Sequence, residues 1–96
     1  MNPTQTLGRP IFGQGQKVAY TSTAGTITNA LPAETKAVQL VSTTDCFIRI
    51  GSSPTAVVDV DCYLPALLPM YFQCNGAEKV SAVQVSSGGT LYVIPF

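Results

Sequence analysis

No stretch of this chain runs far without a helix breaker. Eight glycines and seven prolines are spread along 96 residues, and breakers or turn clusters recur about every ten positions. Helices of ordinary length have no room between them. The intervening residues favour the alternative, since Val, Ile and Thr are abundant while Glu, Lys and Gln are sparse. Short strands at this spacing predict an all-β fold, a small antiparallel β-sandwich or jelly roll of roughly seven to eight short strands.

Reading along the chain, residues 1–16 hold Pro3, Gly8, Pro10, Gly13 and Gly15 among polar residues, with Leu7, Ile11 and Phe12 as the large apolar groups. This composition predicts an extended N-terminal arm in front of a sandwich domain over residues 17–96. Strands are expected at Lys17–Ser22, Thr26–Ala30, Lys36–Ser42, Cys46–Ile50, Val57–Tyr63, Met70–Cys74, Lys79–Ser86 and Thr90–Phe96. The first two read as a hairpin about Ala24-Gly25. Asn75-Gly76 and Ser87-Gly88-Gly89 read as tight turns joining the last three strands into a meander.

Charge narrows the function. Five basic and five acidic residues make 10% of the chain, and histidine is absent. Five scattered cations cannot neutralise a row of phosphates, so nucleic acid is not expected as a direct partner. Without histidine there is no Ser-His or Cys-His pair and no side chain that ordinarily titrates near neutral pH. A non-enzymatic protein without a cofactor is the expectation.

The local motifs point the same way. Gly13-Gln14-Gly15-Gln16-Lys17-Val18 starts like a dinucleotide fingerprint, but Val18 replaces the third glycine and no strand precedes it. Asp59 and Asp61, two apart on an expected strand, read as a solvated, edge-protecting pair rather than as a calcium site, which needs more oxygens. Cys46, Cys62 and Cys74 lack the close pairing of zinc ligands and read as buried, reduced thiols, so no metal is expected. The opening MNPTQTLGRPIF has neither a basic start nor an apolar run and reads as no signal peptide. No apolar run is long enough for a membrane-spanning helix.

The informative excess is apolar. Leu64 to Phe72 (LPALLPMYF) crowds leucines, a methionine and two aromatics together, and the end of the chain adds Tyr92, Ile94 and Phe96. So small a domain has too little interior for all of them, which predicts an exposed apolar interface.

The strings VQLVSTTDCFIRIG, YLPALLPMYFQCNGAEKVSAVQ and SSGGTLYVIPF resemble small virion proteins of tailed bacteriophages, over roughly residues 38–96. The resemblance implies a β-sandwich component of the virion, assembled in the host cytoplasm, of the capsid decoration or cement type. It implies the major capsid protein or another virion protein as partner and a homo-oligomer, most readily a trimer. On that reading Leu7, Ile11 and Phe12 anchor the arm, while Leu67, Leu68, Tyr71 and Phe96 form the body of the interface. Two other classes stand beside it. One is a tail or head-fibre adaptor binding another virion protein or a host glycan through an exposed Tyr63 or Tyr71. The other is a small hydrolase using Asp59 and Asp61.

Overall fold

The computed structural model describes residues 9–96; Leu7 of the expected arm lies outside them. The described residues form eight strands: β1 Gln16–Tyr20, β2 Gly25–Thr26, β3 Ala37–Ser42, β4 Cys46–Gly51, β5 Cys62–Leu64, β6 Met70–Gln73, β7 Lys79–Gln84 and β8 Gly89–Pro95. They make two four-stranded sheets, ordered β1-β8-β3-β6 and β2-β7-β4-β5. Every strand pair is antiparallel.

The pairing follows one rule. β1 pairs with β8, β2 with β7, β3 with β6 and β4 with β5. The chain is one long hairpin folded at residues 52–61 and rolled so that its strand pairs alternate between sheets, which is the jelly roll.

Period-two alternation explains the core. In β8, Leu91 and Val93 are wholly buried while Tyr92 between them is exposed. Val38 and Leu40 of β3 point to the same side, meeting Cys46, Ile48, Leu64, Val80 and Ala82 of the opposite sheet. Tyr20 closes one end of this core, and its hydroxyl donates to the Thr44 carbonyl at 2.7 Å. Burial pushes the Tyr20 hydroxyl and the Cys46 thiol up from their usual ranges. Ser42 Oγ faces both groups yet has no partner at good hydrogen-bond geometry.

Four local expectations are corrected. The first two strands do not form a hairpin, because β1 and β2 lie in different sheets. Nor do the last three strands form a meander: β6 and β8 flank β3, while β7 sits in the other sheet. Asn75-Gly76 and Ser87-Gly88-Gly89 therefore carry crossings between sheets. Gly76 is needed for close approach, since a Cβ there would collide with the Ala33 carbonyl oxygen. Third, the strand expected at Val57–Tyr63 is confined to Cys62–Leu64, whose last residue, Leu64, is wholly buried. Asp59 instead takes a left-handed conformation (φ 65°) in a tight turn. Finally, Cys46 and Cys74 are buried, but Cys62 is exposed.

Residues 52–61 lie across the outer face of the second sheet. Phe47, which alternation aims outward, is buried there against Ala56 and Val83. The Ala56 amide donates to Ser81 Oγ at 2.9 Å, and Thr26 Oγ1 donates to the Pro54 carbonyl at 3.2 Å.

Candidate interaction surface

The outer face of the first sheet is built by strand register. Lys17, Tyr92 and Val41 stand opposite one another on β1, β8 and β3, and Ile94, Gln39 and Tyr71 make the neighbouring row on β8, β3 and β6. Phe96 follows β8 and is fixed to β3 by its amide, which donates to the Ala37 carbonyl at 2.8 Å. Its ring meets Tyr71 edge to face, with centroids 5.6 Å apart. Gln39 Nε2 donates to Tyr71 Oη at 2.8 Å, leaving half of Tyr71 in solvent. Lys17 is the one charged residue within these four strands.

The sequence-predicted body residues thus separate into two groups. Tyr71 and Phe96 touch on the sheet face. Leu67 and Leu68 occupy the β5–β6 loop, both exposed, and Leu67 is 75% exposed. That loop is fastened to the end of β3, since the Leu67 amide donates to the Ser42 carbonyl at 2.8 Å. Leu67 also holds a left-handed backbone (φ 60°), a costly conformation for a leucine that its surroundings must impose.

Asp45 supplies part of that constraint. Its carboxylate accepts the Tyr63 hydroxyl at 2.6 Å and the Ala66 amide at 2.8 Å. These two bonds, the tyrosine's first, hold the Asp45 carboxyl below the usual carboxylate range, and the same pairing pushes the Tyr63 hydroxyl up. Tyr63 also packs edge to face on Phe47, with centroids 5.5 Å apart.

Of the arm residues, Ile11 is half-buried, and its amide donates to the Pro95 carbonyl at 2.8 Å. Phe12 projects with 76% of its surface exposed. The described beginning of the chain is therefore fixed beside the end of β8.

A second apolar group went unread in the sequence. Val57, Val58 and Val60 are exposed on the loop that caps the second sheet. Asp61 rigidifies this loop: one oxygen pairs with Arg49 Nε at 2.9 Å, and the other accepts the Val57 amide at 2.7 Å. Asp59 and Asp61 are therefore not a matched carboxylate pair on one strand face. Among the described residues, no group of three or more acidic or cysteine side chains is placed to hold a metal. No helix among them is long and apolar enough to cross a membrane.

No family model matches the chain, and no curated relative matches it in sequence. Among solved structures, it is similar in shape to the TT1209 protein of Thermus thermophilus, at 10% identity and a TM-score of 0.43, covering 99% of this chain and 94% of that one. It is similar also to an RmlC-like cupin family protein with a double-stranded β-helix fold from Methanocaldococcus jannaschii. There the identity is 11% and the TM-score 0.40, with 91% of this chain and 84% of the other covered.

Proposed function

We propose that this chain is a non-enzymatic structural protein of a bacteriophage virion, a capsid decoration or cement protein that binds the shell and stabilises it through apolar contacts. The observation that carries the proposal is the outer face of the first sheet, where Tyr71, Phe96, Ile94 and Tyr92 share a surface with a single lysine. A surface of that kind loses little charge hydration when it is covered. The resemblance of the strings over residues 38–96 to small virion proteins supports the major capsid protein or another virion protein as the partner. The protein acts as a homo-oligomer, a trimer, with Ile11, Phe12 and Leu7 of the arm adding attachment points to each subunit.

The test is particle composition. Phage particles are purified from cells carrying the gene, with and without the gene intact. The chain should be present in many copies per particle, and particles lacking it should break open at lower temperature. Absence of the chain from purified particles would reject the proposal. The arm is tested separately by deleting residues 2–16, which should weaken shell binding.

One observation favours a second reading, an adaptor that binds a host surface glycan. The exposed Tyr71 ring lies beside the Gln39 amide, a pairing of flat apolar surface and hydrogen-bonding group that suits a sugar. Glycan-array binding that disappears in Tyr71→Ala would favour it over the shell.

A further inference from the structure

We propose that Asn75-Gly76 is a self-modification site, at which the Gly76 amide attacks the Asn75 side chain and the product loosens the crossing between β6 and β7. The inference concerns the chemistry of the chain alone and does not rest on shell binding.

Asparagine amides are among the thermolabile groups of proteins. Their loss needs the backbone nitrogen of the next residue free to reach the side-chain carbonyl carbon. The chain holds three asparagines, each followed by a different nucleophile. Asn2 precedes Pro3, whose nitrogen carries no proton to lose. Asn29 precedes Ala30, whose methyl crowds the attack, and its backbone is clamped by one side chain. The Asn29 amide donates to Gln16 Oε1 at 3.2 Å, and Gln16 Nε2 donates to the Asn29 carbonyl at 2.9 Å. Asn75 is exposed and precedes a glycine, so no side chain shields the nitrogen. The amides on either side are engaged, that of Asn75 with Glu78 Oε1 at 2.7 Å and that of Ala77 with the Leu31 carbonyl at 2.9 Å. Among the described residues the Gly76 amide donates no hydrogen bond, which leaves it free to attack.

The steps balance with water as the co-reactant. The Gly76 nitrogen loses its proton to base in the solvent and bonds to Asn75 Cγ. The Cγ–Nδ2 bond breaks, and that nitrogen takes up a proton and leaves as ammonia. Water then adds to either carbonyl of the cyclic imide. Opening at Cγ gives aspartate. Opening at the main-chain carbonyl gives isoaspartate, in which the backbone runs through the former side chain and is one methylene longer.

The fold makes the two products unequal. Residues 74–78 are sewn to residues 31–36 on both sides of the modified bond. The Cys74 amide donates to the Lys36 carbonyl at 3.1 Å, and the Leu31 amide donates to the Glu78 carbonyl at 2.8 Å, beside the Ala77–Leu31 bond. Between these anchors Gly76 lies against the backbone of Ala33, and Ala77 already holds a left-handed backbone (φ 68°). An extra main-chain atom between Cys74 and Ala77 finds no slack, so isoaspartate gives up one of the anchors. Aspartate keeps the spacing and adds only an exposed charge near Glu78. Cys74, buried at the first anchor, reports the release.

The test follows the full Cys62→Ser chain, which lacks the exposed thiol, through warm storage at neutral and at mildly alkaline pH, beside a urea-unfolded sample. Peptide mapping should place conversion of amide to acid at Asn75 ahead of Asn29 in the folded chain, faster in alkali, with isoaspartate among the products. A maleimide should then label Cys74 about fivefold to tenfold faster in stored than in fresh chain, the effect of one lost anchoring hydrogen bond on a local opening equilibrium. In the same background, Asn75→Gln should stay unconverted and label slowly after storage. Asn75→Asp, which carries the charge without the longer backbone, should label Cys74 as fresh chain does. Conversion confined to the urea-unfolded sample, or led by Asn29, would overturn the site. Stored chain that labels no faster than fresh chain, or fresh Asn75→Asp that labels as fast as stored chain, would overturn the loosening.

Discussion

The hydroxyl of Tyr63 donates a 2.6 Å hydrogen bond to Asp45, whose other carboxylate oxygen holds the Ala66 amide. This joins the β3–β4 turn to β5 and to the loop that presents Leu67 and Leu68. The lowered carboxyl pKa of Asp45 fixes the sign of its pH dependence. Its contribution to stability is full above the unfolded carboxylate value, about 3.9, and is lost as pH falls through the lower folded value. Tyr63 has the opposite sign. Its raised pKa gives a contribution present below the unfolded value, near about 10, and lost as pH rises through the folded one. Tyr63→Phe keeps the ring against Phe47 and removes only the hydrogen bond. It should melt below wild type at neutral pH, with the gap shrinking as acid protonates Asp45. A gap that is constant with pH would mean the hydroxyl does not act through the ionised Asp45 carboxylate.

Leu91 lies wholly buried in β8, in the core shared by the two sheets. Leu91→Ala removes apolar burial and leaves a cavity, at a cost of about 2–5 kcal/mol. Urea unfolding should show the full loss. Tyr92→Ser, one residue along on the exposed face, should cost far less in the same assay.

Gly76→Ala should destabilise the fold although the residue sits in a partly exposed crossing between sheets. The added methyl meets the backbone of Ala33, not the tip of a flexible side chain. Gly51, with open space where a Cβ would stand, is the control: Gly51→Ala should change the melting temperature little.

The three thiols should be told apart by rate. Cys62 is exposed, whereas Cys46 and Cys74 are buried, with thiols pushed up by desolvation and, for Cys74, further by Glu78. A thiol-reactive maleimide should label one site quickly in native protein, and peptide mapping should place it at Cys62. The other two should react only on unfolding. Fast labelling of Cys46 would contradict the packing around Tyr20.

What the sequence made legible was what period and punctuation encode. The strands expected at Lys36–Ser42 and Cys46–Ile50 are present as Ala37–Ser42 and Cys46–Gly51, and alternation groups Val38 with Leu40 and Cys46 with Ile48, all four of which the structure buries. Strand partners were not legible, because Gly88-Gly89 looks the same whether it joins neighbours or crosses between sheets. The nested pairing depends on which faces must cover one another, a property of the whole chain. Residues 57–61 misled for a local reason. Their valine-aspartate alternation mimics a strand, but the Asp61 carboxylate on the Val57 amide closes a turn there instead. Of the surface, Tyr71, Phe96, Leu67 and Leu68 were readable as an apolar surplus. The supporting Asp45 was not, since its role exists only once Tyr63 and Ala66 are brought to it.

The most direct test of the proposed role is co-sedimentation of purified chain with phage shells from which it has been omitted. Wild-type chain should bind saturably, and Tyr71→Asp and Leu67→Asp should each raise the half-saturation concentration about tenfold or more while both variants remain folded at the assay temperature. Shells that take up no wild-type chain, or that bind both variants as well as wild type, would contradict the assignment of this surface to the virion.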